Sequence, residues 1–163
     1  APGAHHFTKR LPAETFANTI KQLHEKYGCS FVLLGGPKGA EICASIASTC
    51  QAPIGDRSGA TTIEETVLAL GSCDALITND TGVMHIAAAR GVPVVAVFGS
   101  TVTDFGFAPY RSAHRIVVVA LPCRPCTHIG RAACPKKHFD CMMRISPQMI
   151  IDAVDDLLND SKS

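Results

Sequence analysis

Apolar positions along the chain follow two alternating spacings, one typical of helices and one typical of buried strands. The clearest helical spacing begins after Pro12 and ends at Gly28, with apolar side chains every three or four residues at Phe16, Ile20, Leu23 and Tyr27. Proline is tolerated in a first helical turn and glycine favours a helix end. The pattern therefore predicts an amphipathic helix over 13–27.

Short continuous apolar runs alternate with the helical segments and predict buried strands. The strands predicted in this way cover residues 31–36, 74–80, 92–99 and 115–121, of which 74–80 has its apolar residues only at Ala75, Leu76 and Ile77. Helices are predicted between and after them, over 38–50, from the Thr62 capping box to 71, over 81–90, and from Pro147 onward. Strands that are apolar on both faces and separated by helices are typical of a parallel sheet covered on both sides. The predicted fold class is α/β, with a Rossmann-like parallel sheet and helices on both faces.

In such sheets, ligands bind beyond the carboxyl ends of the strands. This rule selects the loops at 35–36, 79–82 and 99–101. The middle loop, Asn79-Asp80-Thr81-Gly82, leads into a helix whose first N–H groups can hold an anion or sugar hydroxyls. His85 lies one turn further on, within reach of a ligand there. The alternative is that Asp80 or Thr81 serves only to cap the helix.

Length and composition are those of one compact domain over residues 1–163, since 47% of residues are hydrophobic, 18% are charged and the formal net charge is +1. A charge so close to zero argues against nucleic acid as a partner. The longest apolar runs, 92–98 and 116–121, are too short to span a membrane, and the first ten residues lack the apolar core of a signal peptide. The expected location is the cytoplasm.

Eight cysteines divide into a scattered group and a bunched group. Four lie in predicted strands and helices or beside them, where cysteine behaves as a small buried apolar residue. The other four fall in an irregular insertion over 122–144, together with His128 and His138: Cys123, Cys126, Cys134 and Cys141. A C-x2-C pair is a common half-site for structural zinc. The wider spacing of the second pair favours reduced thiols in a loop packed by Ile129, Phe139 and Met142, and structural zinc is the alternative.

Two segments resemble the heptosyltransferase family of glycosyltransferases. Residues 79–99, NDTGVMHIAAARGVPVVAVFG, are similar to the family signature, and the opening APGA…TKRLP is similar to its "PGA…TKRWP" stretch, with Leu11 in place of tryptophan. The resemblance runs from Ala1 to Leu158 and covers the C-terminal half of a typical member. It implies one half of a GT-B fold, the half that holds the ADP-sugar donor.

The resemblance also implies roles for individual residues. Lys9 would reach the diphosphate, with Thr8 beside it, and the donor sugar and phosphate would meet Asp80, Thr81 and Gly82, with His85 close by. Without the resemblance, Lys9 and Arg10 would be interpreted as a solvated basic pair, whose removal hardly changes stability. Glu41 is the nearest acid to the position where relatives bind ribose, and its register does not match clearly.

The function implied is inverting transfer of a heptose-like sugar from a nucleotide diphosphate to a lipopolysaccharide-core-type acceptor. A general base must take the proton of the acceptor hydroxyl. In the resembled family this base and the acceptor site belong to an N-terminal domain outside this sequence, so no residue of this chain is expected to be catalytic. No cofactor is expected for catalysis, and the protein is expected in the bacterial cytoplasm or peripheral at the inner face of the inner membrane. The alternative is a non-catalytic Rossmann-like binding module with a zinc knuckle.

Overall fold

The computed structural model describes residues 1–160 as short parallel strands connected by helices. The strands are β1 (Phe31–Leu33), β2 (Ile54–Asp56), β3 (Leu76–Asn79), β4 (Val94–Val97) and β5 (His114–Val117). The helices are α1 (Ala13–Tyr27), α2 (Ala40–Thr49), α3 (Ile63–Leu70), α4 (Gly82–Ala89), α5 (Asp140–Met143) and α6 (Pro147–Asp160). The predicted α/β class with a parallel arrangement is confirmed.

The predicted helix boundaries have the expected local causes. Gly28 ends α1 in the left-handed region at φ 64°, and its N–H donates to the His24 carbonyl. Thr62 and Glu65 form a complete capping box at the start of α3, because the Thr62 hydroxyl accepts from the Glu65 N–H while the Glu65 carboxylate accepts from the Thr62 N–H. Both helix ends could therefore be assigned from the sequence.

The strands form two parallel sheets, where the sequence predicted one. β4 lies between β3 and β5, and β1 pairs with β2. The chain at Ala1 occupies the free edge of β3, where the Ala1 nitrogen donates to the Ile77 carbonyl (2.7 Å) and the Ala1 carbonyl accepts from the Asn79 N–H. The N-terminal segment thus takes the position of a strand beside β3.

β4 is buried on both faces and organises the core. Val95 and Val97 contribute to one apolar cluster, which is shared with α1, α2 and α6. Val94 and Ala96 point to the opposite face and pack with residues of α3 and α4. Helices therefore cover both sides of the sheet, and the carboxyl end of β4 is held rigidly at the centre of the molecule.

No helix within residues 1–160 is both long enough and apolar enough to cross a membrane.

Candidate functional site

A cavity of about 780 Å³ opens at the carboxyl ends of β1 and β3. It is lined by the N-terminal loop, the turn after β1 and the first turn of α4, specifically residues 1, 3–6, 9, 34–39, 80–83 and 86. We call it the strand-end cavity. Its position agrees with the rule that parallel sheets bind ligands at this edge.

Asn79 closes the N-terminal loop that carries Lys9. Its side-chain amide donates to the Pro2 carbonyl (2.8 Å), and its side-chain oxygen accepts from the Leu11 N–H (3.2 Å). Asn79 is fully buried, so these bonds are shielded from water. Arg10 braces the same loop from outside by donating to the carbonyls of Ala4 and His5. A single amide on β3 therefore holds both ends of the loop.

Lys9 and Asp80 form an ion pair at the cavity wall. The Lys9 Nζ lies 2.7 Å from Asp80 Oδ2, and the side chains are 14% and 4% exposed. The same carboxylate oxygen accepts a hydrogen bond from the Thr101 hydroxyl at 2.8 Å. The interpretation of Lys9 as a solvated surface lysine is therefore wrong, because its side chain is largely buried and its ammonium group is paired with Asp80.

The first turn of α4 faces the cavity without a side-chain cap. Thr81 precedes the helix in an extended conformation and its side chain makes no capping hydrogen bond, while the Asp80 carboxylate pairs with Lys9 and Thr101. The alternative in which Asp80 or Thr81 is only a cap is therefore wrong. A Cβ atom at Gly82 would meet no atom within 4 Å, so a ligand can approach the backbone N–H groups there.

Hydrogen bonds to Thr8 connect the cysteine-rich segment, residues 122–144, to the N-terminal loop of this site. The Thr8 hydroxyl accepts from the Arg131 N–H (2.8 Å), and the Thr8 N–H donates to the Arg131 carbonyl (3.1 Å). The Ser100 hydroxyl donates to the same Thr8 oxygen at 3.0 Å. The segment also packs closely on His6, since a Cβ at Gly130 would come within 2.6 Å of the His6 Cβ.

Arg124 attaches the cysteine-rich segment to the ends of β4 and β5. Its guanidinium donates to four backbone carbonyls, those of Phe98, Gly99, Thr101 and Val119. Five donors in a fixed planar arrangement make arginine suited to bridging several acceptors at once. The loop after β4 is therefore fixed by a residue that is not part of the cavity lining.

The four cysteines of the segment are free thiols. Burial, and then the neighbouring Cys126, raise the pKa of Cys141 to about 11. Burial and the nearby Cys134 and Cys123 raise the pKa of Cys126. The Cys123 sulfur lies 3.8 Å from His138 Nε2. Within residues 1–160, no group of three or more histidine, cysteine, aspartate or glutamate side chains is placed to hold a metal ion.

Apolar packing holds part of the segment, as the sequence predicted, although one residue behaves differently. Met142 is fully buried and Phe139 stacks on Phe7 with ring centroids 4.7 Å apart. Ile129 is 60% exposed, so its predicted packing role is wrong. His128 instead packs its ring edge-on against Phe105, at 4.4 Å between centroids.

A second cavity, of about 660 Å³, lies between α1 and α2. It is lined by helix surfaces, including Glu14, Lys21 and Glu25. It has neither a glycine turn nor a strand end in its lining. The strand-end cavity is therefore the better candidate for a phosphate-containing ligand.

The comparison with protein families agrees with this geometry. Residues 1–137 match the family model described as glycosyltransferase family 9 (heptosyltransferase). The chain belongs to glycosyltransferase family 9.

Individual members of family 9 resemble the chain over nearly its whole length. Lipopolysaccharide heptosyltransferase 2 of Salmonella typhimurium is 32% identical over 156 residues, which are 93% of this chain and 43% of that protein. The solved Escherichia coli ADP-heptose lipopolysaccharide heptosyltransferase II is 29% identical, with a TM-score of 0.81 over 99% of this chain and 46% of that one. The chain thus spans about half the length of these relatives.

A more distant solved relative shares the fold alone. It is the iron-containing dodecameric heptosyltransferase TibC in complex with ADP-D-beta-D-heptose, 15% identical with a TM-score of 0.74. It covers 98% of this chain.

The structure brings together four of the six residues that the resemblance assigned to the donor. Lys9, Asp80, Thr81 and Gly82 all line the strand-end cavity. Thr8 is 1% exposed and does not line the cavity, because its hydroxyl is hydrogen-bonded to Ser100 and Arg131. His85 is exposed on α4 outside the lining, as is Glu41 on α2.

Other lining residues were not identified from the sequence. His5, His6 and Lys38 add nitrogen-bearing side chains to the cavity wall. The glycine-rich turn after β1 was recognised as a ligand position, and this could have drawn attention to Lys38. Nothing in the local sequence marks His5 and His6, because their place in the wall depends on the loop that Asn79 closes.

Proposed function

We propose that this chain is the donor-binding domain of an inverting heptosyltransferase, which holds an ADP-sugar for transfer to a lipopolysaccharide-core-type acceptor. The observation that carries the proposal is the meeting of Lys9 with the uncapped start of α4 in one cavity. A module that served only to bind a protein would not need this convergence. The binding-module alternative is therefore the weaker account.

The chemistry of the cavity suits a departing diphosphate. Breaking a glycosyl–phosphate bond places negative charge on the leaving group, and a fixed cation with a helix N-terminus stabilises that charge. Asp80 keeps Lys9 beside the cavity before the donor arrives. A diphosphate carries more negative charge than one carboxylate, so it can attract the ammonium group away from Asp80 or share it.

The two ends of the cavity suggest how the donor lies. The sugar and diphosphate would contact Asp80, Thr81 and Gly82, near Lys9. The nucleoside would extend toward the turn at 35–39, where Gly35 and Gly36 leave open space above the backbone. Since Glu41 is exposed outside this lining, we do not assign it to the ribose.

Transfer requires a general base for the acceptor hydroxyl, and we assign this base to a second domain. The resemblance implies a GT-B enzyme in which the acceptor lies against the other half. The relatives that match this chain are about twice as long, which supports this division. Residues 1–163 alone should bind the donor and transfer little or none of the sugar.

The proposed reaction uses no metal or other cofactor, because Lys9 and the α4 N-terminus meet the diphosphate charge directly. In this proposal the cysteines of the 122–144 segment are reduced thiols, and structural zinc there is the alternative. We place the protein in the cytoplasm or peripherally at the inner face of the inner membrane. The similarity to proteins named lipopolysaccharide heptosyltransferase 2 supports this proposal. We expect no nucleic-acid partner.

Titration calorimetry with ADP, UDP and GDP tests this function. We expect ADP to bind with one site per chain and more tightly than UDP or GDP. Absence of ADP binding at millimolar concentrations would contradict the donor-domain proposal. In a transfer assay, robust turnover by the 163-residue chain would contradict the assignment of the base to another domain.

A further inference from the structure

Thr101 lies behind the strand-end cavity and contacts its ion pair. Its side chain is fully buried and is not part of the cavity lining. Its hydroxyl donates to Asp80 Oδ2 at 2.8 Å, and the same oxygen lies 2.7 Å from Lys9 Nζ. A single oxygen of the Asp80 carboxylate therefore contacts both Thr101, which the sugar donor cannot reach, and the Lys9 ammonium group, which faces the sugar donor.

We propose that Thr101 is a positioning residue of the donor site, which holds the Asp80 carboxylate so that Lys9 stays aligned with the diphosphate. This inference rests on the proposed function, because the effect of Thr101 is transmitted through Lys9. A carboxylate with one fixed oxygen retains a single orientation. Without the hydroxyl, Asp80 can rotate about its side-chain bonds and Lys9 moves with it.

Hydrogen bonds also hold the backbone of Thr101 in place, and this fixes the position from which its hydroxyl donates to Asp80. Arg124 donates to the Thr101 carbonyl at 2.9 Å and to the Phe98 carbonyl at 3.1 Å. The neighbouring Ser100 carbonyl accepts from the Cys126 N–H at 3.2 Å. The cysteine-rich segment therefore holds the loop after β4 from behind, and Thr101 connects that loop to the ion pair.

The test replaces the hydroxyl and keeps the shape of the side chain. Thr101→Val removes the hydroxyl that donates to Asp80, and we expect ADP affinity to fall about tenfold, which corresponds to about 1.4 kcal/mol. Thr101→Ser restores the donor and should recover affinity to within about threefold of the wild type. If Thr101→Ser does not recover the ADP affinity that Thr101→Val loses, the proposal is overturned.

Thr19→Val is the matched control. Thr19 is also buried, its hydroxyl donates to the Thr15 carbonyl within α1 (2.7 Å), and neither residue belongs to the cavity lining. Its replacement should leave ADP affinity unchanged. An equal loss of affinity in Thr19→Val would show that removing a buried threonine hydroxyl weakens binding through the fold in general, and would overturn the proposal.

A double-mutant cycle with Lys9→Ala separates positioning from a general structural effect. If Thr101 acts through Lys9, Thr101→Val should change ADP affinity less than about twofold when Lys9 is already alanine. Independent, additive losses would overturn the positioning role. An unchanged affinity in the Lys9→Ala single variant would also overturn the positioning role, whereas absence of ADP binding by the wild type would refute the proposed function, so the two failures are distinguishable.

Stability measurements keep the test valid if valine disturbs folding. Thermal unfolding is recorded for each variant, and Thr101→Cys, with a much weaker donor, replaces Thr101→Val if the latter does not fold. We expect the cysteine variant to lose affinity in the same direction. Wild-type affinity in a folded Thr101→Cys protein would overturn the proposal.

Discussion

Lys9 and Asp80 form an ion pair in which the Asp80 side chain is 4% exposed and the Lys9 side chain 14% exposed. The sequence alone favoured either a solvated lysine or a ligand-contacting one, and neither interpretation included an internal partner. The pair gives Lys9 a structural role in addition to its proposed role at the donor. This changes what its removal is expected to do.

Lys9→Ala should lower the free energy of unfolding, because it leaves the buried Asp80 carboxylate with Thr101 as its remaining side-chain donor. We expect a loss of about 1–3 kcal/mol, the range for a buried polar group that loses its partner. Urea unfolding measures it. The control is the double variant Lys9→Ala/Asp80→Ala, which should recover part of the loss. A change below about 0.5 kcal/mol in the single variant, typical of surface sites, would contradict the paired arrangement.

Asn79→Ala should open the N-terminal loop. The substitution removes the bonds to the Pro2 carbonyl and the Leu11 N–H and leaves both backbone groups without that partner in a buried environment. We expect the free energy of unfolding to fall by about 2–4 kcal/mol and ADP affinity to fall with it. Asn18→Ala on the exposed face of α1 is the matched control and should change stability by less than about 0.5 kcal/mol. Equal stabilities for the two variants would refute the closing role of Asn79.

Ionisation of the Cys141 thiol should lower the free energy of unfolding at alkaline pH. Burial and the neighbouring Cys126 raise its pKa to about 11 in the folded chain, whereas the unfolded thiol titrates near its ordinary value of about 8.5. The contribution of Cys141 to the free energy of unfolding is therefore fully present below the pKa of the unfolded thiol, and it is lost as the pH rises toward the pKa of the folded one. Urea unfolding from pH 8 to 11 should show a steeper decline for the wild type than for Cys141→Ala. Parallel curves would mean that Cys141 is not buried as described.

The cysteine-rich segment should be free of stoichiometric metal. Elemental analysis of protein purified without chelators is expected to find well under one zinc or iron per chain. Thiol titration of the native protein should find Cys123 and Cys134, which are partly exposed, accessible to reagent. One tightly held metal per chain, with the four thiols of the segment protected, would establish the zinc alternative and require those side chains to converge.

The elements best predicted from the sequence were those determined by their own residues. Four strands were placed from the apolar segments that alternate with the predicted helices, and α3 was placed by its Thr62–Glu65 capping box. β2 was missed because Ile54-Gly55-Asp56 is three residues long, largely exposed, and contains two residues disfavoured in strands. Its structure depends on pairing with β1 rather than on its own composition.

The part of the site that could not be predicted depends on contacts between distant residues. Asp80 and Thr101 were both marked, because the loops 79–82 and 99–101 each follow a predicted strand, but the bond between the two residues could be found only after the ends of β3 and β4 were placed side by side. Thr8 was assigned to the donor site, beside Lys9, by the family resemblance, whereas the structure directs its hydroxyl to Arg131 in the cysteine-rich segment. No local pattern of residues encodes such pairings.

The measurement that tests the central claim most directly is an ADP titration of the wild type, Lys9→Ala and the control Lys21→Ala. Lys21 is 69% exposed on α1 and lies outside the strand-end cavity. We expect Lys9→Ala to weaken ADP binding by about 1–3 kcal/mol, as for a lost charge-assisted hydrogen bond, and Lys21→Ala to bind like the wild type. Equal ADP affinity in all three proteins would show that the nucleotide diphosphate does not bind at Lys9 and would contradict the account.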